Sequence, residues 1–229
     1  MQRALRTAVG ALAAAAAWVM PAPVQAQDLL YDPYGTWNGY RIYLSPARHD
    51  NAGSRGECGG NNENNLAYDV AYTTTTGDNG YDFRSRGYKV RIGRGTVSTA
   101  ISNSNTWGAH IHIPLHSNAV QTPNCASTSA SSFGTNIIYY YTSTNGQRLA
   151  GRLIYWPGYY SPGTRDYTCK NPGDPCTTIN LGELSQTSAV AAYSETEFHT
   201  WNTGVNWLAN ELPWAWSIAE AVDEYLGYP

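Results

Sequence analysis

Short runs of β-branched and aromatic residues alternate with helix-like stretches along this chain, and that order constrains the fold more than any other feature. The clearest strand covers Thr135 to Tyr141, a T-N-I-I-Y-Y-Y run of residues that suit a pleated, half-buried surface. Arg41–Leu44, Tyr88–Ile92 between two glycines, His110–Leu115 and Ala189–Tyr193 read as further strands. Pro114 predicts that regular pairing ends just before His116. Helices are expected from Glu63 to about Tyr72, from Gln147 to Tyr155 with a stop at Trp156-Pro157, and over Asn202–Asn210 and Trp214–Leu226. The T-T-T-T run after Tyr72 is a poor helix former. Gln27–Gly39 is turn-rich, Asp50–Asn62 is an Asn/Gly-rich loop, and a loop follows Pro157. No internal repeat or linker divides the chain. The expectation is a single α/β domain with a mostly parallel or mixed central sheet flanked by helices, its functional loops at the C-terminal ends of the strands.

The first 26 residues predict a signal peptide. Arg3 and Arg6 form a positive start, Ala8–Met20 is apolar, and Val24-Gln25-Ala26 supplies a small-residue cleavage pattern. The apolar run is too short for a stable membrane span. Cleavage would leave a 27–229 domain of about 200 residues, enough for a full core. It would also take the formal charge from −3 to −5. With no basic stripe, nucleic acid is not an expected partner. The protein is read as exported, to the periplasm or beyond.

Four cysteines fit an oxidising compartment. Cys169 and Cys176 flank K-N-P-G-D-P, a turn-rich segment whose closure costs little, and are expected to pair. That leaves Cys58 with Cys125, each nine residues after a histidine, His49 or His116, so that their bridge would staple two loops. A four-cysteine zinc site would need C-x-x-C pairs, and the chain has none.

Four separated stretches carry the candidate chemistry: S-P-A-R-H ending at His49, N-N-E-N-N-L around Glu63, I-P-L-H-S-N-A around His116, and S-E-T-E-F-H around Glu195. Two imidazoles and a carboxylate can hold Zn²⁺ with a fourth position open, and a carboxylate that is not a ligand can move a proton beside it. His49, Glu63 and His116 fit the first role. Each candidate also has a plainer reading. Glu63 in the first turn of a helix is favoured by the helix dipole alone. His110 and His112 share one side of a predicted strand and rival His116 as ligands, although H-x-H on a strand often just pairs with polar neighbours. His199, four residues after Glu195, reads as a surface histidine beside Trp201, with contact to substrate or a metal-bound oxygen as the alternative. Glu195 and Glu197 both fit the proton-transfer role, because residues two apart on a strand share a face.

These stretches resemble the zinc-dependent N-acetylmuramoyl-L-alanine amidases of the amidase 3 type. That family has a first histidine ending strand one, a glutamate in the next element, a second histidine in an H-x-N-A setting, and a catalytic glutamate in a segment similar to E-T-G-F-H. Here the matches are His49, Glu63, His116 in H-S-N-A, and Glu195 in E-T-E-F-H. The resemblance therefore gives Glu195 the catalytic role and puts Glu197 where the family usually has glycine. G-Y-K-V-R-I-G-R, ending at Arg94, is similar to the family's strand-plus-arginine segment. The resemblance spans roughly Arg41 to Leu226. It implies a zinc cofactor and a peptidoglycan or muropeptide substrate, cut between N-acetylmuramic acid and L-alanine. Two rival functions stay open from sequence: a non-catalytic wall-binding module using some of the eighteen tyrosines and eight tryptophans, and a zinc peptidase cutting within the stem peptide. The oligomeric state is left open, with a monomer as the expectation.

Overall fold

The computed structural model describes residues 27–47, 58–59, 63–77, 80–173 and 179–228. The proposed signal segment, His49 and Cys176 lie outside the described residues. Seven strands form one mixed sheet: β1 (Leu29–Tyr31), β2 (Arg41–Pro46), β3 (Lys89–Ile92), β4 (Ile111–Asn118), β5 (Asn136–Tyr140), β6 (Tyr167–Asn171) and β7 (Val190–Phe198). Their spatial order is β1-β3-β2-β4-β7-β5-β6. Strands β3, β2, β4 and β7 run parallel. The edge strand β1 is antiparallel to β3, and β5 is antiparallel to β7 with β6 parallel beside it. The helices are α1 (Glu63–Thr76), α2 (Val97–Trp107), α3 (Thr144–Tyr160), α4 (Gly182–Ser185), α5 (Asn202–Ala209) and α6 (Glu211–Leu226).

Alternation along the strands sorts side chains into two unlike faces. Ile42 and Leu44 of β2, Ile111, Ile113 and Leu115 of β4, and Ile137 and Tyr139 of β5 bury themselves against the apolar sides of α1, α3 and α6. Each such side chain contributes about 1.5–3 kcal/mol on burial, so this face supplies most of the hydrophobic stabilisation. The opposite face carries a smaller apolar cluster of Ile138, Ala191 and Tyr193 under Leu184 of α4. It also carries the buried polar residues Ser45, His112 and His116. On this face the Asp28 carboxylate accepts from Tyr43 Oη at 2.8 Å, Arg91 Nε at 2.9 Å and Asn103 Nδ2 at 2.9 Å, and from the Arg94 backbone N–H at 3.1 Å. One residue thus ties the segment before β1 to β2, the β3 end and α2.

Several expectations shift. Regular pairing does not stop before His116: Pro114 sits in β4 opposite Ser45, and the strand continues to Asn118. A proline forfeits one N–H, and the flanking ladder on both sides of β4 holds the strand through that loss. The threonine run is helical to Thr76, and there Thr74, Thr75 and Thr76 donate their hydroxyls to the carbonyls of Val70, Ala71 and Tyr72. Helix α3 runs past Pro157 to Tyr160. Strands β1 and β6 and helices α2 and α4 emerge from segments the sequence reads as turns and loops, or leaves without an expected element. Helix α2 is built from Ser, Thr and Asn, which are weak helix formers. Its ends compensate: Thr96 caps the Thr99 N–H, and Gly108 closes it in the left-handed conformation at φ 69°.

Candidate active site

The C-terminal ends of β4 and β7 bring two of the marked stretches together. His116 and Glu195 are direct partners in the parallel β4–β7 ladder. On its other side Glu195 faces Asn136 across the antiparallel β5–β7 pair. Glu63 reaches the same place as the first residue of α1. Its Oε1 lies 3.1 Å from His116 Nδ1 and accepts the Ser117 backbone N–H at 3.2 Å. Both side chains are buried, and the His116 ring stacks on Tyr193 with 4.5 Å between centroids.

Burial alone would lower the His116 pKa. The hydrogen bond to Glu63 and the charges of Glu195, Glu63 and Glu183 outweigh it and raise the imidazole above its ordinary value. Glu195 is raised as well, here toward its neutral form: burial, with the Glu63 charge adding and His116 opposing, pushes it up to about 7. Tyr193 is held well above the usual phenol range by burial and then by Glu195, Glu183 and Glu63. A carboxylate titrating near neutrality can both take and return a proton. It also has access, since a cavity of about 300 Å³ opens beside it, lined by Asn118, Asn136, Ile138, Tyr167, Tyr193 and Glu195.

Among the described residues no three histidine, cysteine, aspartate or glutamate side chains converge as a metal-binding group. Two of the three expected ligands do meet. Atoms about 2.0–2.1 Å from one tetrahedral zinc lie roughly 3.3 Å apart, and the 3.1 Å between His116 Nδ1 and Glu63 Oε1 matches that spacing. An imidazole nitrogen and a carboxylate oxygen are the donor types zinc takes, so the pair fits the metal. His49, the third expected ligand, lies outside the described residues.

The other histidines go elsewhere. His110 Nδ1 accepts the Arg41 N–H at 3.0 Å at the far end of β4. His112 is buried, stacked on Tyr43, and pairs through Nε2 with Glu183 Oε1 at 3.0 Å. His199 is not at the surface: it is buried, with Nδ1 2.9 Å from Ser117 Oγ. Cys58 and Cys125 form a disulfide. Cys58 donates its N–H to His199 O, and Asn124 donates to Thr200 O. The bridge therefore clasps the turn after β7 between the loop before α1 and the loop after β4. Cys169 is also disulfide-bonded.

Glu195 and Glu197 do not share a face. Past the His116–Glu195 pair the next partners are Asn118 and Phe198, so Ser117 alone on β4 faces both Thr196 and Glu197. This is a β-bulge, and its extra residue often takes a left-handed conformation. Glu197 has φ 55°, the one non-glycine residue with positive φ among the described residues. Such backbone costs a side-chain-bearing residue about 1 kcal/mol or more, which is the reason glycine suits this position. Strand period two fails at the bulge, and sequence periodicity has no means of signalling that. Sequence reasoning also passed over Asn136, Tyr167 and Tyr193, since the cavity they line exists only once β5, β6 and β7 are neighbours.

No protein-family model matches the chain, and no curated protein matches it. Solved structures do. The catalytic domain of CwlV, an N-acetylmuramoyl-L-alanine amidase from Bacillus (Paenibacillus) polymyxa var. colistinus, aligns with TM-score 0.64 at 14% identity over 83% of this chain and 99% of that one. An N-acetylmuramoyl-L-alanine amidase from Clostridium difficile 630 aligns at 0.62 and 18% identity, covering 83% and 98%. The amidase AmiC2 of Nostoc punctiforme aligns at 0.62 and 16%, covering 82% and 97%. The fold is that of the N-acetylmuramoyl-L-alanine amidase catalytic domains, present nearly from end to end.

Proposed function

We propose that this protein hydrolyses the amide bond between N-acetylmuramic acid and L-alanine in peptidoglycan. Zinc would be held by His49, Glu63 and His116, with Glu195 as the proton-transfer residue. The observation that carries this reading is the meeting of Glu63, His116 and Glu195 at the ends of parallel strands, in a fold shared with amidases of that activity. Zinc bound there would lower the pKa of water to about 7 and polarise the scissile carbonyl. Glu195, facing the cavity and titrating near neutrality, takes a proton from the attacking water and hands it to the departing alanine nitrogen. An amine leaves poorly without that proton, so this transfer is the step the chain itself must perform. The amides of Asn118 and Asn136 and the rings of Tyr167 and Tyr193 give the cavity polar and apolar walls, as a peptide carrying both kinds of group requires.

The signal segment 1–26 and the disulfides support action outside the cytoplasm, on peptidoglycan or its muropeptide fragments. No helix among the described residues is long and apolar enough to cross a membrane. Mass spectrometry of muropeptides after digestion with the mature protein tests the reading. Stem peptides with a free L-alanine amine and sugars with an unsubstituted lactyl group are expected. Cuts within the stem peptide would make it a peptidase instead, and intact muropeptides a wall-binding module.

A further inference from the structure

Among the described residues, Glu197 is the one fully buried carboxylate at this end of the sheet that the proposed chemistry leaves unused. Its Oε1 accepts the Gly163 N–H at 3.0 Å. Two glycines make room for it. A side chain at Gly163 would run into Glu197 Oε1 and the Gly134 backbone, and a Cβ at Gly204 would sit 2.9 Å from Glu197 Oε2. The segment after α3, so held, zips onto the start of β5. Thr164 donates to Ala130 O at 3.1 Å, Arg165 to Phe133 O at 2.9 Å, and Tyr167 to Thr135 O at 3.0 Å, while Thr135 donates to Asp166 Oδ1 at 2.7 Å. These two segments lead directly into Asn136 and Tyr167, which wall the cavity. The β5–β7 ladder ends at the Asn136–Glu195 pair, and from there the Glu197 side chain takes over the connection.

We propose that Glu197 is a positioning residue, whose buried carboxylate holds the Asn136–Tyr167 wall of the cavity against the strand that carries Glu195. A residue kept at left-handed φ where glycine would be unstrained needs a compensating use for its side chain, and the tie to Gly163 supplies one. The kinetic arm rests on the amidase reading; the exchange arm does not.

The test compares Glu197→Gly and Glu197→Gln in the whole exported chain. The readouts are kcat and KM on a purified muropeptide and amide hydrogen exchange over residues 161–167. Glycine relieves the backbone but removes the tie. It is expected to raise KM about tenfold or more with kcat within about threefold, and to speed exchange across 161–167 by about tenfold. Glutamine keeps an acceptor for Gly163, so Glu197→Gln should bring KM and exchange back to within about threefold of wild type. Wild-type KM and exchange in Glu197→Gly would overturn the proposal. So would a fall in kcat at constant KM, the signature of a smaller folded fraction, or a glutamine variant as impaired as the glycine one. If Glu197→Gly does not fold, Glu197→Asn tolerates the left-handed backbone and is one methylene too short to keep the tie to Gly163. It should speed exchange there by about threefold, and unchanged exchange would equally sink the idea. Should the wild type release no alanine-terminated peptide, the amidase reading fails and the exchange data alone decide the role of Glu197.

Discussion

His116 and Glu195 face each other across the β4–β7 ladder, which puts the residue whose carboxyl titrates near neutrality on the strand next to a candidate metal ligand, their backbones about 4.8 Å apart. Replacing Glu195 by glutamine keeps the shape and removes the proton acceptor. Glu195→Gln is expected to fold and retain zinc while kcat falls by roughly 10²- to 10⁴-fold. Glu197→Gln should keep substantial activity, because the bulge turns Glu197 away toward Gly163. Steady-state kinetics with metal analysis on both variants checks this. An active Glu195→Gln beside an inactive, zinc-loaded Glu197→Gln would shift the catalytic assignment by two residues.

Metal content is the second measurement. The mature chain should bind about one zinc per molecule, lost on dialysis from His116→Ala, Glu63→Ala and His49→Ala. His110→Ala should keep it, since His110 caps the Arg41 N–H away from the site. Chelation should abolish hydrolysis and added zinc restore it. Full zinc occupancy in His116→Ala would remove the ligand assignment.

The α/β architecture was legible because strands such as Thr135–Tyr141 carry their pattern locally, and so was the convergence of His116 with Glu63 and Glu195, through motif order. What the residues did not announce depends on neighbours. Helix α2 forms from weak helix formers because both ends are capped. Strand β6 needs β5 to pair with. Glu195 and Glu197 looked equivalent because period two holds only in an unbulged strand. The bulge is a property of the β4–β7 pair and is invisible in either strand alone.

The cysteine pairing gives a third test. Peptide mapping without reduction should recover Cys58 linked to Cys125 and Cys169 linked to Cys176. The first bridge closes 67 residues of sequence, and a loop of that size is expected to contribute about 2–4 kcal/mol. Cys58→Ser should therefore lower stability by that amount. It should also loosen the turn at His199 and Thr200, where Cys58 and Asn124 donate. A crossed pairing in the map, or a Cys58→Ser variant as stable as wild type, would contradict the clasp.

Glu197 should remove stability as pH rises, and its share is traceable. Burial, with the Asp166 charge adding and hydrogen bonding, first of all from the Gly163 N–H, opposing, lifts its pKa from 4.5 to about 7. Its Oε2 has no hydrogen-bond partner among the described residues, so the ionised form is poorly compensated. Below the unfolded value both states are protonated and the group costs nothing. Between that value and about pH 7 the unfolded chain ionises while the folded one does not. Stability is lost across this window, by an amount approaching about 3 kcal/mol. Glu197→Gln cannot ionise and should escape the loss. Urea unfolding at pH 5 and pH 8 is the check, with Glu195 and the other carboxylates cancelling between the two proteins. The glutamine variant should gain on wild type at pH 8 by up to about 3 kcal/mol, with most of that advantage gone at pH 5. An equal difference at both pH values would mean that Glu197 is ionised in the fold and held by more than the Gly163 N–H.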